Sequence, residues 1–422
     1  MYELTTLENG LRILTVTMPH VHSASLGFFV GVGSRYEDDS LAGASHFIEH
    51  MLFKGTASRP TALEIAEAIE GKGGIFNAST GLEATLYWAK VAAHHLPQTL
   101  DVLSDMLLRA KFEPEEIEKE RAVIHEEINY TLDAPEGMVQ IAVNNLQWPN
   151  HPLGRDVAGT RDSVAGLERP ALLAYLEDHY RPSRTVLGIA GGVEHKAVVN
   201  WAQEHLGDWE PGPAFSFEPA PSNHSGPNVH IDNKDTEQAH ICLSFDGLSR
   251  CHPDRHKLRL LNVMLGEGMR SRLFQQVRER LGLAYSVDSF VSTLLDTGTV
   301  GIYAGVAPHR AEQAIEAIFE ELEQMRQDPV PADELQKALD FVRGRLTLSL
   351  EDSFTTAAWF ARQELLGPDV LYPDQVLAHF EAVQPSDVLE VAQTVFRPER
   401  LNVAIVGPFG DGNQRLDQVL DF

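Results

Sequence analysis

The chain has 422 residues, with 61 acidic against 34 basic, a formal charge of −27, 43% hydrophobic and 23% charged residues. That length allows two domains that each bury a core, and the balance is that of a globular rather than a disordered chain. The acidic excess argues against a nucleic-acid-binding surface, which needs clustered Lys and Arg, and it disfavours anionic membranes.

The N-terminal MYELTTLENGLRIL has neither a basic start nor an apolar run of signal length, and no window approaches a membrane span. A cytoplasmic location is the expectation. Glu3–Thr17 and Ala24–Val32 alternate or run apolar with β-branched residues, which predicts strands. Gly43–Phe53 reads as a helix, followed by a loop to Pro60. Thr61 then opens a second helix, with Glu64 completing a capping box and Gly71 at its C-terminus. Ile75–Thr80 and Glu83–Lys90 predict strands around a turn at Gly81. Glu113–Tyr130, with Pro114 in its first turn, is a long charged helix. The GKGG run at Gly71 is a helix stop without the Lys-Ser/Thr of a phosphate loop, and His94-His95 carries no motif. Cys242, in an apolar run, and Cys251, in a polar turn, are expected to be unpaired thiols.

The chain is written twice. RPSRTVLGIAGGV, from Arg181, runs in step with RPERLNVAIVGPF, from Arg397, an offset of 216. The same offset carries SLGFFVGVGSRYED, from Ser25, onto ICLSFDGLSRCHPD, from Ile241. A repeat this long means two domains of one fold, since solenoid periods are about 20 to 50 residues. Between the copies, residues 211–227 are rich in Pro, Ser and Gly and read as a linker. The expectation is an α+β chain of two homologous domains, 1–210 and 228–422, each a mainly antiparallel sheet with helices packed on it.

The chemistry concentrates in HFIEH. On a helix His46 and His50 stand one turn apart on one face, with Glu49 beside them. Their neighbours Phe47, Ile48, Met51, Leu52 and Phe53 are apolar, so three ionisable groups would sit on a buried helix at high cost unless something pairs them. A lone histidine would be an ordinary hydrogen-bonded core residue. Two neutral imidazoles with a carboxylate alongside make half of a zinc site instead, the Glu free to take a proton from a water that the metal activates. A third ligand is needed, and the helix from Glu113 offers seven acids. Glu127 follows an apolar run, and Glu120 lies two turns before it on the same face, so one can ligate while the other holds a supporting position. Physical reasoning alone leaves Glu126 and Glu127 open.

HFIEH is also the inverted zincin motif. Its surroundings, GSRYEDDSLAGASHFIEHMLFKGT from Gly33, resemble the first signature of the pitrilysin family, which includes mitochondrial processing peptidases and insulin-degrading enzymes. GGIFNASTGLEATLYW from Gly73 is similar to that family's substrate strand, and EKERAVIHEEI from Glu118 to its third-ligand helix. GEGMRSRLFQQVRERLGLAYSV from Gly266 is similar to its second-half signature. The resemblance implies a zinc endopeptidase with one Zn2+ per chain on His46, His50 and Glu127, and Glu49 as general base. It gives Glu120 a further functional place, and makes Phe76, Asn77 and Ala78 the strand that pairs with a peptide substrate. Arg278 and Tyr285 match the pair that reaches substrate and oxyanion. At the repeat offset His46, Glu49 and His50 fall on Asn262, Leu265 and Gly266, and Glu127 falls among Arg343-Gly344-Arg345, so the second domain should bind no zinc. Family members close a chamber from four such domains. A chain with two is therefore expected to form a homodimer, each zinc site receiving Arg278 and Tyr285 from the other copy. The competing reading is a non-catalytic or partner-dependent structural subunit of a peptidase complex.

Overall fold

The computed structural model describes residues 1–212, 216–221 and 226–410, so part of the expected linker (213–215 and 222–225) lies outside the described residues. The first half contains β1 (Tyr2–Thr6), β2 (Arg12–Thr17), β3 (Ser23–Val30), α1 (Ala44–Leu52), α2 (Ala62–Ile69), β4 (Ile75–Thr80) and β5 (Thr85–Ala92). It continues with α3 (Leu96–Arg109), α4 (Pro114–Asp133), α5 (Pro135–Gln147), α6 (Arg161–Gly166), α7 (Arg169–His179), β6 (Thr185–Gly191) and α8 (His195–Leu206). The second half contains β7 (Asn228–Asn233), β8 (Ala239–Asp246), α9 (Arg255–Gly266), β9 (Ala284–Thr293), β10 (Gly298–Val306) and α10 (Ala311–Gln327). It ends with α11 (Ala332–Ser349), α12 (Ser353–Leu366), α13 (Pro373–Glu381), α14 (Pro385–Val395) and β11 (Asn402–Gly407).

The apolar stretch from Glu3 to Thr17 folds as a hairpin, because Gly10 takes a φ of 92° and the chain turns back at Leu7–Leu11. Thr61 caps α2 with Glu64 completing the box, as the spacing predicts. Both cysteines are unpaired. No helix among the described residues is long and apolar enough to cross a membrane.

Strands run β1-β2-β6-β3-β5-β4 in one sheet and β7-β11-β8-β10-β9 in the other. Leaving out β1, the second order repeats the first strand for strand. Each sheet has one parallel pair, β2 with β6 and β11 with β7, and is otherwise antiparallel. At the offset of 216, β2, β3 and α7 coincide end to end with β7, β8 and α14. The fold is α+β, duplicated.

The two compact units are not contiguous halves of the chain. Unit 1 comprises Met1–Ile128, Arg155–Glu218 and Thr347–Leu371, and unit 2 comprises Asn129–Gly154, Pro219–Leu346 and Tyr372–Phe422. The division at 210 and 228 is corrected by two helices. In unit 2, α5 buries Val139 and Val143 with Cys242, Ala404 and Val406 of β8 and β11. In unit 1, α12 lies so close to β6 that a Cβ on Gly188 would stand 2.7 Å from that of Ala361. Trp88 and Phe354 rings 4.2 Å apart and a 2.8 Å bond between the Ser25 and Ser353 hydroxyls hold it there. Each copy of the fold thus completes its sheet with a helix from the other half of the sequence, as apolar faces on both elements require.

Within unit 1, α1 rests Phe47, Ile48, Met51 and Leu52 on the same core as Leu26, Phe28 and Val30 of β3 and Tyr87 and Ala89 of β5. All four helix side chains are fully buried. Burying each contributes roughly 1.5 to 3 kcal/mol over leaving it exposed, which pins one face of the helix and leaves the other to its polar residues.

Candidate metal centre

The entry to α1 is built with care. Gly43 precedes the helix at φ 93°, and any Cβ there would meet the Ala158 carbonyl oxygen at 2.6 Å. The buried Glu37 carboxylate accepts from the Gly43 and Ser45 amides at 2.8 and 2.7 Å, satisfying donors that the helix start leaves open.

His46 and His50 lie side by side on the polar face of α1, ring centroids 4.7 Å apart. On α4, Ile117, Glu120, Ile124 and Ile128 are buried, and Glu127 comes to the edge of that face with about half its side chain exposed. One Glu127 oxygen lies 3.6 Å from Nε2 of His46 and 3.6 Å from Nε2 of His50. Among the described residues these three form the one group whose donor atoms, all within 4.8 Å of each other, could hold a metal ion. The separations are too long for good hydrogen bonds. They match a tetrahedral centre, whose bonds of about 2.1 Å set ligand atoms roughly 3.4 Å apart. Burial, with His50 beside it, pushes His46 down to about 4, so its imidazole is neutral as a metal ligand must be. The donor set suits zinc.

Glu120 does not face the site's opening. Its carboxylate, 5% exposed, takes His50 Nδ1 at 2.9 Å on one oxygen and Lys54 Nζ at 2.6 Å on the other. It therefore fixes the ring and tautomer of His50 and leaves Nε2 for the metal. Glu49 is raised above its ordinary value by burial, against the pull of the Thr80 hydroxyl and of His50. Thr80 donates its hydroxyl to Glu49 Oε2.

β4 is an edge strand, paired on one side with β5 through Asn77 opposite Trp88 and Ala78 opposite Tyr87. Its residues alternate, with Phe76, Ala78 and Thr80 half-buried and Asn77 exposed. The Phe76 ring packs 5.4 Å from Phe53 at the end of α1, so that side chain is a structural anchor. The Ala78 amide donates to Asn77 Oδ1 at 2.8 Å.

In unit 2, Arg278 lies in a π-helical stretch, Phe274–Arg280, and Tyr285 at the start of the edge strand β9. The Arg278 guanidinium stands 5.7 Å from the Tyr285 ring centre, and the ring is 74% exposed. At the positions equivalent to His46 and His50, Asn262 accepts from the Ser289 hydroxyl at 2.8 Å, and a Cβ on Gly266 would meet Ser289 N at 2.3 Å.

Spacing could have identified Lys54, four residues beyond His50 and just past the end of α1. Thr80 carried only the alternation of a strand end, and Glu37 carried no signal of its own.

Two family models match the chain, one described as insulinase (peptidase family M16) over residues 12–161 and one as peptidase M16 inactive domain over 166–341. A relative named as the uncharacterized zinc protease YmxG of Bacillus subtilis is 36% identical over 416 residues, 97% of this chain and 99% of that protein. A second relative of that kind, from Streptomyces coelicolor, is 37% identical over 413 residues, covering 96% and 90%. Among solved structures, a protease from Helicobacter pylori has a TM-score of 0.92 at 23% identity, covering 97% of this chain and 99% of that one. A peptidase M16 inactive domain from Pseudomonas fluorescens has a TM-score of 0.89 at 17% identity, covering 96% and 98%. At those identities the structural likeness concerns the fold.

Proposed function

This chain belongs to the insulinase (M16) family of zinc metallopeptidases, and from that premise we propose that it is an endopeptidase acting on unfolded peptides or presequence-like segments. The carrying observation is the convergence of His46, His50 and Glu127 on one point of unit 1 with Glu49 beside them. His46, His50 and Glu127 would hold one zinc ion per chain. Bound there, zinc supplies Lewis acidity to an attacking water and to the scissile carbonyl.

The remaining steps belong to side chains. Glu49 takes the water's proton and returns it to the leaving amine, a task that favours a carboxyl raised above its ordinary value, as burial raises this one. Glu120 holds His50. β4 accepts the peptide as an added strand through the backbone of Phe76, Asn77 and Ala78, which binds a chain without reading much of its sequence. Arg278 and Tyr285 donate to the oxyanion, and in this reading they come from a second copy in a homodimer.

Purified chain is assayed for zinc and for hydrolysis of an unfolded peptide. Glu49→Gln and Tyr285→Phe chains, each inactive alone, are then mixed. Recovery of activity is expected, and no recovery at any ratio refutes supply in trans. Bound zinc without hydrolysis would favour a partner-dependent subunit, and absence of zinc a structural one.

A further inference from the structure

The residue that holds the catalytic Glu and the strand expected to hold the substrate are one piece of chain. Thr80 is the last residue of β4, and its hydroxyl donates to Glu49 Oε2. Phe76, at the near end of the same strand, packs on Phe53 at the close of α1. The base-bearing helix and the open edge strand are therefore tied at two places, one polar and one aromatic. Between the ties lies Ala78, whose amide is held by a neighbouring side-chain oxygen.

A glutamate carboxylate rotates broadly about its last torsion, so an unanchored Glu49 would present its basic lone pairs in many directions. The Thr80 hydroxyl on Oε2 and a second bond from the Thr80 backbone hold the plane of the group from one residue of the strand. Because the donor is carried by the strand rather than by the helix, the aim of the base follows the position of β4.

We propose that Thr80 is a positioning residue that couples peptide docking on β4 to the orientation of Glu49. The assignment rests on the peptidase reading above, with β4 as the peptide edge and Glu49 as the base. A peptide paired along β4 stiffens the strand, and the stiffening reaches Glu49 through the Thr80 hydroxyl. Binding and base alignment then occur together, and misalignment without the hydroxyl should appear in turnover rather than in binding.

The test compares wild type, Thr80→Val and Thr80→Ser on one quenched-fluorescent unfolded peptide, with zinc content and Tm measured for each. Affinity for the same peptide is measured separately by anisotropy in the Glu49→Gln chain, with and without Thr80→Val. Thr80→Val should lower kcat about 10- to 100-fold with KM within about two-fold, since small misplacements of a reacting group cost up to about 100-fold. Thr80→Ser should restore most of the loss. Zinc content, Tm and peptide affinity should be unchanged. Normal kcat in Thr80→Val overturns the assignment while leaving the peptidase reading intact. A loss that Thr80→Ser does not restore, or that tracks zinc content or affinity, overturns it as well by making the role structural. A zinc-loaded wild type that hydrolyses no peptide refutes the peptidase reading and this assignment with it.

Discussion

Replacing Glu120 with Gln should weaken zinc binding without disturbing the ligands themselves. The carboxylate receives His50 Nδ1 at 2.9 Å and Lys54 Nζ at 2.6 Å, one on each oxygen, in a nearly closed environment. Gln has the same shape but only one acceptor. With its oxygen towards His50, its amide hydrogens face the Lys54 ammonium, donor against donor. With its oxygen towards Lys54, its amide donates to His50 Nδ1, and the imidazole proton moves to Nε2, the nitrogen that must be bare to bind metal. Either arrangement loses one interaction of the present site. Loss of such a supporting carboxylate costs about 10- to 100-fold in metal affinity, or roughly 1.4 to 2.7 kcal/mol. The assay is competition for zinc against a chromophoric chelator, with Lys54→Met as the companion. Lys54→Met should shift affinity in the same direction by less, because His50 keeps its acceptor. A zinc Kd for Glu120→Gln within about two-fold of wild type would refute the role of this chain of three side chains.

Two further outcomes concern stability. Arg35 and Glu83 form an ion pair at 2.7 Å with side chains 0% and 2% exposed, and the Phe217 ring lies 3.8 Å from the guanidinium. Arg35→Met should cost about 3 to 5 kcal/mol in urea unfolding by leaving Glu83 buried and charged, and adding Glu83→Leu should recover much of that. In unit 2, His256 stacks on His379 at 4.9 Å, and burial, with Arg255 and His379 nearby, holds it down to about 4. Its folded value lies below its unfolded one, so the neutral ring's contribution is present above about 6.5 and is lost as pH falls towards 4. Because His256 is partly open to solvent, this amounts to about 1 to 2 kcal/mol after screening. His256→Phe should flatten that part of the stability profile, and an unchanged acid slope would refute it.

Much of the centre was legible because helical periodicity is strong evidence at short range. His46, Glu49 and His50 share a face by spacing alone, and the apolar residues between them announce the buried side. The choice of Glu127 over Glu126 came from family resemblance, since the two sit side by side on α4. In the structure one Glu127 oxygen stands 3.6 Å from Nε2 of each histidine, while the row of Ile117, Ile124 and Ile128 turns Glu120 inwards. The exchange of α5 and α12 was not legible. An amphipathic helix declares that it has an apolar face, not which of two similar sheets will cover it. Thr80 was hidden for a related reason, because its partner lies on another element and a lone hydroxyl leaves no periodic trace.

The duplication also lets the positions of His46 and His50 be compared with their equivalents in unit 2. In unit 2 the equivalent of His50 is Gly266, and β9 lies so close that the Ser289 backbone would touch a Cβ at that position. Asn262, where His46 would stand, is bonded to the same serine. A histidine at Gly266 would therefore meet the Ser289 backbone, and one at Asn262 would lose the bond to the Ser289 hydroxyl. The edge strand β9 of unit 2 presents an exposed Tyr285 beside Arg278. A dimer of such chains would have two zinc sites and two of these pairs, each copy contributing one of each.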